Sequence, residues 1–129
     1  MNSSTVGQPA IGADAAYDPN DIIATDHDLF SATLTLASGQ NVTRGTVLGQ
    51  ITSGGKLNKS LSAAVDGSQV PMAIAAEDKD ASAGDKSILV YLAGGFKEGR
   101  LTFGASHTAA STKVALAQKG IYLYDEQVY

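Results

Sequence analysis

The stretch Ser87–Ala93 reads SILVYLA and is apolar on both of the faces that a β-strand would present. A strand with no polar face is typical of the buried centre of a sheet. The following residues, GFKEGRLTFG, predict a hairpin-like strand pair around Lys97–Gly99. We therefore expect the fold to be organised around a central strand that begins near Ser87.

Shorter strand signals lie upstream of this stretch. LFSATLTLA, which starts at Leu29, alternates between apolar and polar residues, and TVLGQIT follows it with Val47 and Ile51 on one face. A further segment, VPMAIAA, predicts a strand with one apolar face made of Val70, Met72, Ile74 and Ala76. Turn signals at SGQN, SGG and DGSQ separate these segments. The spacing predicts a compact, mainly β domain.

One helix interrupts the strands near the C-terminus. The spacing predicts a helix that begins after Ser106 or Thr108 as N-cap and ends at Gly120 in the C′ position. Its expected apolar stripe consists of three small side chains, Ala110, Val114 and Ala117. A final strand, IYLY, should point Ile121 and Leu123 to one side and Tyr122 and Tyr124 to the other.

Residues 1–28 differ from the rest of the chain in charge and pattern. They contain five aspartates, Asp14, Asp18, Asp21, Asp26 and Asp28, and no lysine or arginine, whereas the whole chain carries a net charge of −4. Their apolar residues are isolated, so the segment buries too little surface to offset the entropy of ordering. We expect a flexible acidic arm at 1–28 and a compact β-rich domain at 29–129.

The composition argues against several classes of protein. The 129 residues include no cysteine, which excludes disulfides and thiolate chemistry, and their length favours one domain. MNSSTVGQPA lacks the features of a secretory signal, and no apolar run approaches the length of a membrane span. Because no part of the chain is strongly basic, we expect neither nucleic-acid nor membrane binding.

The side chains that could carry chemistry form no recognisable site. His27 lies in the expected arm and His107 lies beside the helix start, so neither has an evident catalytic partner. The carboxylates between Glu77 and Asp85 fail the calcium-loop pattern, because Ala83 stands where the glycine is needed and the final position falls within a predicted strand and is not an acid. We predict no catalytic, cofactor-binding or metal-binding residues.

We predict a structural role, and no chemistry of its own, for the stretch LASGQNVTRGTVLGQIT. Gly39 and Gly45 are placed in turns that favour positive φ, whereas Gly49, inside a strand pattern, indicates a bulge or a close backbone approach. Arg44 has no partner that the sequence identifies and is expected to be a solvated turn residue.

Five segments, taken in order, resemble the lambda-type head decoration proteins of tailed bacteriophages. They are LASGQNVTRGTVLGQIT, DGSQVPMAIAAEDKDASAGD, LVYLAGGF, LTFG and ALAQKGIYL, and the resemblance covers residues 29–124. It implies a β-clip-like domain with a little helix and no catalytic residues. It also implies a homotrimer made in the host bacterial cytoplasm and bound to the outer surface of the expanded virion capsid at three-fold positions, where it stabilises the head against DNA pressure.

In this family the arm orders on the shell by joining strands of the major capsid protein. Such strand addition takes its affinity from backbone hydrogen bonds and its register from spaced side chains. The capsid-binding residues expected in this arm are Ile11, Tyr17, Ile22, Ile23, Ala24 and Thr25. Two other functions stay open at the level of the residues: a β-clip-like subunit of a nucleotide-hydrolysing enzyme that uses the carboxylates of 77–85, and a β-rich adaptor or adhesin.

Overall fold

Eight strands and one α-helix make up the regular structure of the residues described here. The computed structural model describes residues 22–124, apart from the side chains of residues 25–28. The strands are β1 (Ile23–Leu36), β2 (Asn41–Val42), β3 (Val47–Gln50), β4 (Leu57–Lys59), β5 (Pro71–Ala75), β6 (Lys79–Asp80), β7 (Lys86–Lys97) and β8 (Ile121–Tyr124). The helix, α1, is Ala109–Gln118, and a short 3-10 turn covers Glu98–Arg100. The predicted mainly β domain with one short helix is confirmed.

The main sheet has the order β1-β4-β3-β5-β7-β8, and an additional pairing of β1 with β7 closes a ring of strands. β7 pairs antiparallel with β1 and β5 and parallel with β8, so it has the central position that SILVYLA predicts. β2 and β6 form a separate two-stranded sheet. The closed ring leaves few free strand edges among the residues described.

The central strands contribute side chains to two different hydrophobic clusters. One cluster includes Leu48 of β3 and Val90 of β7, and the other includes Val47 of β3 and Phe96 of β7. Because alternate residues of β3 and β5 enter alternate clusters, these strands read as apolar runs. The single apolar face expected for VPMAIAA is therefore wrong: Val70 is 45% exposed and precedes β5, whereas Ala73, Ile74 and Ala75 are all buried.

The roles of the glycines in the β2–β3 region are confirmed. Gly39 and Gly45 adopt φ values of 92° and 95°, which side-chain-bearing residues rarely reach. A Cβ built on Gly49 would lie 2.0 Å from the carbonyl oxygen of Ser68, and the β3–β5 register shifts between Leu48 and Gly49. Gly49 thus marks both a bulge and a close backbone approach.

The chain after β7 does not form the predicted hairpin. It passes through the 3-10 turn, and Thr102 then makes a parallel bridge with Thr46 instead of folding back on β7. The Val47 amide donates to the Thr102 carbonyl at 2.9 Å. Burial of Leu101 in the second hydrophobic cluster explains this path, because it draws the chain across the sheet towards β3.

The predicted ends of α1 are confirmed, but its buried face is not the expected one. Thr108 is the N-cap of a capping box with Ser111, and Gly120 has a φ of 89° just beyond the helix. The buried residues are Thr112 and Leu116, whereas Val114 is 69% exposed. Val114 and Leu116 lie about 200° apart around the helix axis, so only one can face the core, and the larger side chain does. The Thr112 hydroxyl donates to the Thr108 carbonyl at 2.8 Å and is thereby satisfied within the core.

Candidate functional site

The N-terminal end of β1 is fixed to the end of the central strand. Ile22 is 6% exposed and belongs to the second hydrophobic cluster. Its carbonyl accepts a hydrogen bond of 2.7 Å from the Lys97 amide, and Ile23 pairs with Phe96. The domain therefore includes Ile22, upstream of the predicted boundary at Leu29, because these apolar side chains find partners in β7 that lie far away in sequence.

The six residues predicted for capsid binding are divided by this arrangement. Ile11 and Tyr17 lie outside the described residues, as does most of the predicted arm. Ile22 is buried, Ile23 and Ala24 are half-buried, and the backbone of Thr25 pairs with Gly95. Ile22 is thus occupied by the core of its own domain.

β1 bulges widely between Thr25 and Phe30. Thr25 pairs with Gly95 and Phe30 with Ala93, so four residues of β1 face one residue of β7. A Cβ on Gly94 would lie 2.7 Å from the Leu29 side chain, so the missing side chain makes room for the bulge. This bulge separates the short N-terminal pairing from the long regular pairing of β1 with β7.

Arg44 contacts elements that are distant in the sequence and is not the solvated turn residue that the sequence predicts. Its Nη1 donates to the Ala76 carbonyl at 2.8 Å and to the Tyr91 hydroxyl at 3.3 Å. Its guanidinium carbon lies 5.7 Å from the centroid of the Tyr91 ring, and its backbone amide donates to Asp78 Oδ1 at 2.7 Å. The arginine therefore ties the β2–β3 turn to β7 and to the segment after β5.

We expect Arg44→Lys to lower the free energy of unfolding by about 1–2 kcal/mol, because an ammonium cannot reproduce the planar donor and the ring contact together. Tyr91→Phe should lower the free energy of unfolding by about 0.5–1 kcal/mol in the wild-type protein. In an Arg44→Ala protein, which lacks the guanidinium, the same substitution should change the free energy of unfolding by almost nothing. A double-mutant cycle by urea denaturation measures this coupling. If the effects of Arg44→Ala and Tyr91→Phe on the free energy of unfolding were fully additive, the proposed interaction between the two side chains would be contradicted.

The carboxylates of residues 77–85, the segment named as a possible enzymatic site, bind backbone amides. Glu77 Oε2 accepts from the Leu89 amide at 2.8 Å, and Asp85 Oδ1 accepts from the Ser38 amide at 2.8 Å. Asp85 Oδ2 also lies 2.6 Å from Lys56 Nζ. Among the described residues no group of three or more potential metal ligands converges. The segment fastens neighbouring turns to the start of β7.

The pKa values of three aspartates are lowered by local hydrogen bonds. Asp66 and Asp80 each accept from the hydroxyl and the amide of the serine two residues later, which lowers the pKa of both carboxyls. The Lys56 ammonium and then the Ser38 amide lower the pKa of Asp85. All three side chains are therefore charged at neutral pH.

The lowered pKa of Asp85 predicts a pH-dependent contribution to stability. A carboxyl with a depressed pKa in the folded state stabilises the fold above its unfolded pKa of about 4, and this contribution disappears as pH falls through the folded value. Asp85→Asn should therefore be less stable than wild type at pH 7 and equal to it near pH 2. Thermal melts across this range test the prediction.

Lys56→Met is the matched control, because it removes the ion pair and keeps the Ser38 hydrogen bond, and should therefore destabilise less at pH 7. A destabilisation by Asp85→Asn that persisted unchanged at pH 2 would contradict the account.

His107, the histidine whose side chain is described, has a structural contact. Its Nε2 lies 2.9 Å from the carbonyl oxygen of Gln69, which connects the turn before α1 to the loop before β5. The side chain of His27 lies outside what the structure describes. Within residues 22–124, the single α-helix is too short to cross a membrane.

Several large apolar side chains face solvent, and no local sequence pattern identified them as a group. Those with the greatest exposure are Val65 at 95%, Val114 at 69%, Phe30 at 58% and Tyr122 at 51%. Val65 borders an open depression that Ile51 and Gln69 also line. Single exposed apolar side chains are common on protein surfaces, so their exposure alone identifies no binding site.

These features define a class of protein. The described residues form a β domain in which polar side chains hold the turns in place. Several apolar side chains are exposed on its surface, and its N-terminal end pairs with the central strand. The model of one family, the bacteriophage lambda head decoration protein D, matches residues 18–121. The chain belongs to this family of structural phage proteins and is a phage head decoration protein. No curated protein sequence matches it.

Proposed function

We propose that the protein binds as a homotrimer to the outer surface of the expanded capsid at its three-fold positions and stabilises the head against the pressure of packaged DNA. The observation that carries this proposal is the family match, which covers residues 18–121. Its partner is then the major capsid protein, and its place is the outer face of the virion. It acts by binding and has no catalytic role.

The geometry of β1 supports a mechanical role. The residues before Ile22 form, in this proposal, a flexible arm that adds a strand to the capsid protein, with Ile11 and Tyr17 as anchors. A pull on the arm would be transmitted through Ile22 and Ile23 to β7. Beyond the bulge, Ser31 to Leu36 pair in continuous register with Tyr91 to Lys86. A pull along β1 loads these antiparallel hydrogen bonds together, so the sheet resists it as a unit.

Trimerisation strengthens the attachment of weakly binding arms. Ordering a segment costs about 1–2 kcal/mol per residue, so one arm alone binds weakly. Three arms on one particle raise the effective concentration and increase avidity by about 10²–10⁴-fold. The trimer is thus part of the binding mechanism.

The experiment compares head binding by the intact chain and by a chain that lacks residues 1–21. This deletion spares Ile22, whereas removal of residues 1–28 would also take Ile22 and Ile23 from the sheet and destabilise the domain. We expect the intact chain to saturate expanded heads and to ignore unexpanded heads, and the deletion to weaken binding by about 10²-fold. Bound copies are counted after sedimentation.

A chain in which Ile11 and Tyr17 are both replaced by aspartate keeps the arm length and serves as the matched variant; it should bind like the deletion. Negligible binding of the intact chain to both kinds of head would contradict the function. Undiminished binding by the deletion would contradict the role of the arm alone.

A further inference from the structure

The part of β1 that precedes the bulge has few backbone contacts with β7. The Ile22 carbonyl accepts from the Lys97 amide at 2.7 Å, and two further residues of β1 have partners in β7 before the register shifts. Beyond the bulge, by contrast, six consecutive residues of β1 pair with β7 in unbroken register. We call residues 22–25 the strap. The bulge separates the strap from the regular pairing, so the two parts of β1 can open independently.

The end of β7 is held by other elements besides the strap. Its residues 94–97 pair with β8 on the opposite edge, where the Gly94 amide donates to the Gly120 carbonyl at 3.0 Å. The second hydrophobic cluster has seven buried members besides Ile22, namely Val47, Ile74, Phe96, Leu101, Leu116, Ile121 and Leu123. The strap can therefore leave β7 without dismantling the sheet or the cluster, which is the condition for a local opening.

The side chain of Ile22 holds the strap closed. It is 6% exposed, and a Cβ built on Gly45 would lie 3.0 Å from Ile22 Cγ2, so the isoleucine lies against the bare backbone of the β2–β3 turn. Its burial stabilises the closed strap, whereas the entropy lost by ordering the segment opposes closure. Because these two contributions are of similar size, we expect the strap to open far more often than the whole domain unfolds.

The bulge stores chain length. The eight chain steps from Ile22 to Phe30 cover about 27 Å when they are extended, whereas the facing stretch of β7, from Lys97 to Ala93, has four steps and covers about 13 Å. If the strap opens while the pairing beyond the bulge stays closed, the segment before Phe30 can extend fully. The chain before Ile22 would then reach about 14 Å further from the sheet.

We propose that the strap is a releasable anchor, which detaches from β7 on the shell so that the stored length of the bulge extends the arm. This inference rests on the proposed function, in which residues before Ile22 bind the capsid protein. Three arms of one trimer have to reach their sites together, and a linker too short to span its site adds no avidity. The pairing of Ser31 to Leu36 with β7 limits the release and keeps the sheet intact.

Hydrogen exchange of two amides of β7 tests whether the strap opens in the free, intact protein. The Lys97 amide faces the strap and the Gly94 amide faces β8, so they report on opposite edges of one strand. After correction for intrinsic rates, NMR should show Lys97 exchanging about 10–100-fold faster than Gly94, with little dependence on denaturant, because the opening exposes little surface. Equal protection of the two amides would overturn the inference.

A disulfide across the strap tests whether its release matters on heads. The chain contains no cysteine, and Thr25 and Gly95 face each other before the bulge, so Thr25→Cys with Gly95→Cys provides a lock between the strap and β7. The oxidised lock should bind expanded heads about 10-fold more weakly than the same protein after reduction. The reduced protein controls for the two substitutions themselves.

A second lock beyond the bulge is the matched control. Thr35→Cys with Ser87→Cys joins the same two strands at a facing pair where no length is stored, and both positions are exposed. Its oxidised and reduced forms should bind expanded heads equally.

The outcomes separate this inference from the proposed function. Equal head binding by the oxidised and reduced strap lock would overturn the releasable anchor, and so would an equal loss of binding on oxidation of both locks. In either case, binding of the wild-type chain to expanded heads would leave the proposed function standing. Negligible binding of the wild-type chain to these heads would overturn the proposed function, and the inference with it.

Discussion

The structure depends on a single strand, β7, which pairs with three other strands of the main sheet. β7 pairs with β1 and β5 in its first half and with β1 and β8 in its second half. Its side chains enter both hydrophobic clusters, Ile88 and Val90 on one side and Phe96 on the other. A strand that is paired on both edges and contributes to both clusters cannot shift register without breaking both of them. The position of β7 therefore fixes the positions of the N-terminal end of β1, of residues 77–85 and, through β8, of α1.

Polar side chains hold the turns to this strand. Glu77 fixes the segment after β5 to Leu89, and Arg44 reaches Tyr91 from the β2–β3 turn. Each of these contacts joins an exposed turn to a residue of β7, so the turns inherit the rigidity of the centre of the sheet. A decoration protein benefits from this arrangement, because a surface that must match a lattice cannot afford mobile loops. The same groups are thereby committed to structure.

Local sequence signals predicted the features that depend on neighbouring residues. The turn glycines and the cap at Thr108 each act within a few residues and are confirmed, as is the central position of SILVYLA. Burial of both faces of SILVYLA is not confirmed, because Leu89 is 40% exposed. The candidate site depends on long-range contacts that no local pattern reports. Arg44 meets Tyr91 across 47 positions, and Ile22 lies in the core only because the end of β7 is nearby. Likewise, the exposure of Val114 is decided by Leu116, which takes the single inward direction that the short helix offers.

We propose that the sheet domain carries an arm that becomes ordered only on the capsid. Hydrogen exchange of the intact protein, measured alone and bound to expanded heads, distinguishes an arm that orders on binding from one that is already ordered. We expect amides of β7 to exchange slowly in both states, and amides of residues 1–21 to exchange rapidly in the free protein and to become protected on the heads. Protection of residues 1–21 before heads are added, or its absence after saturation, would contradict the account.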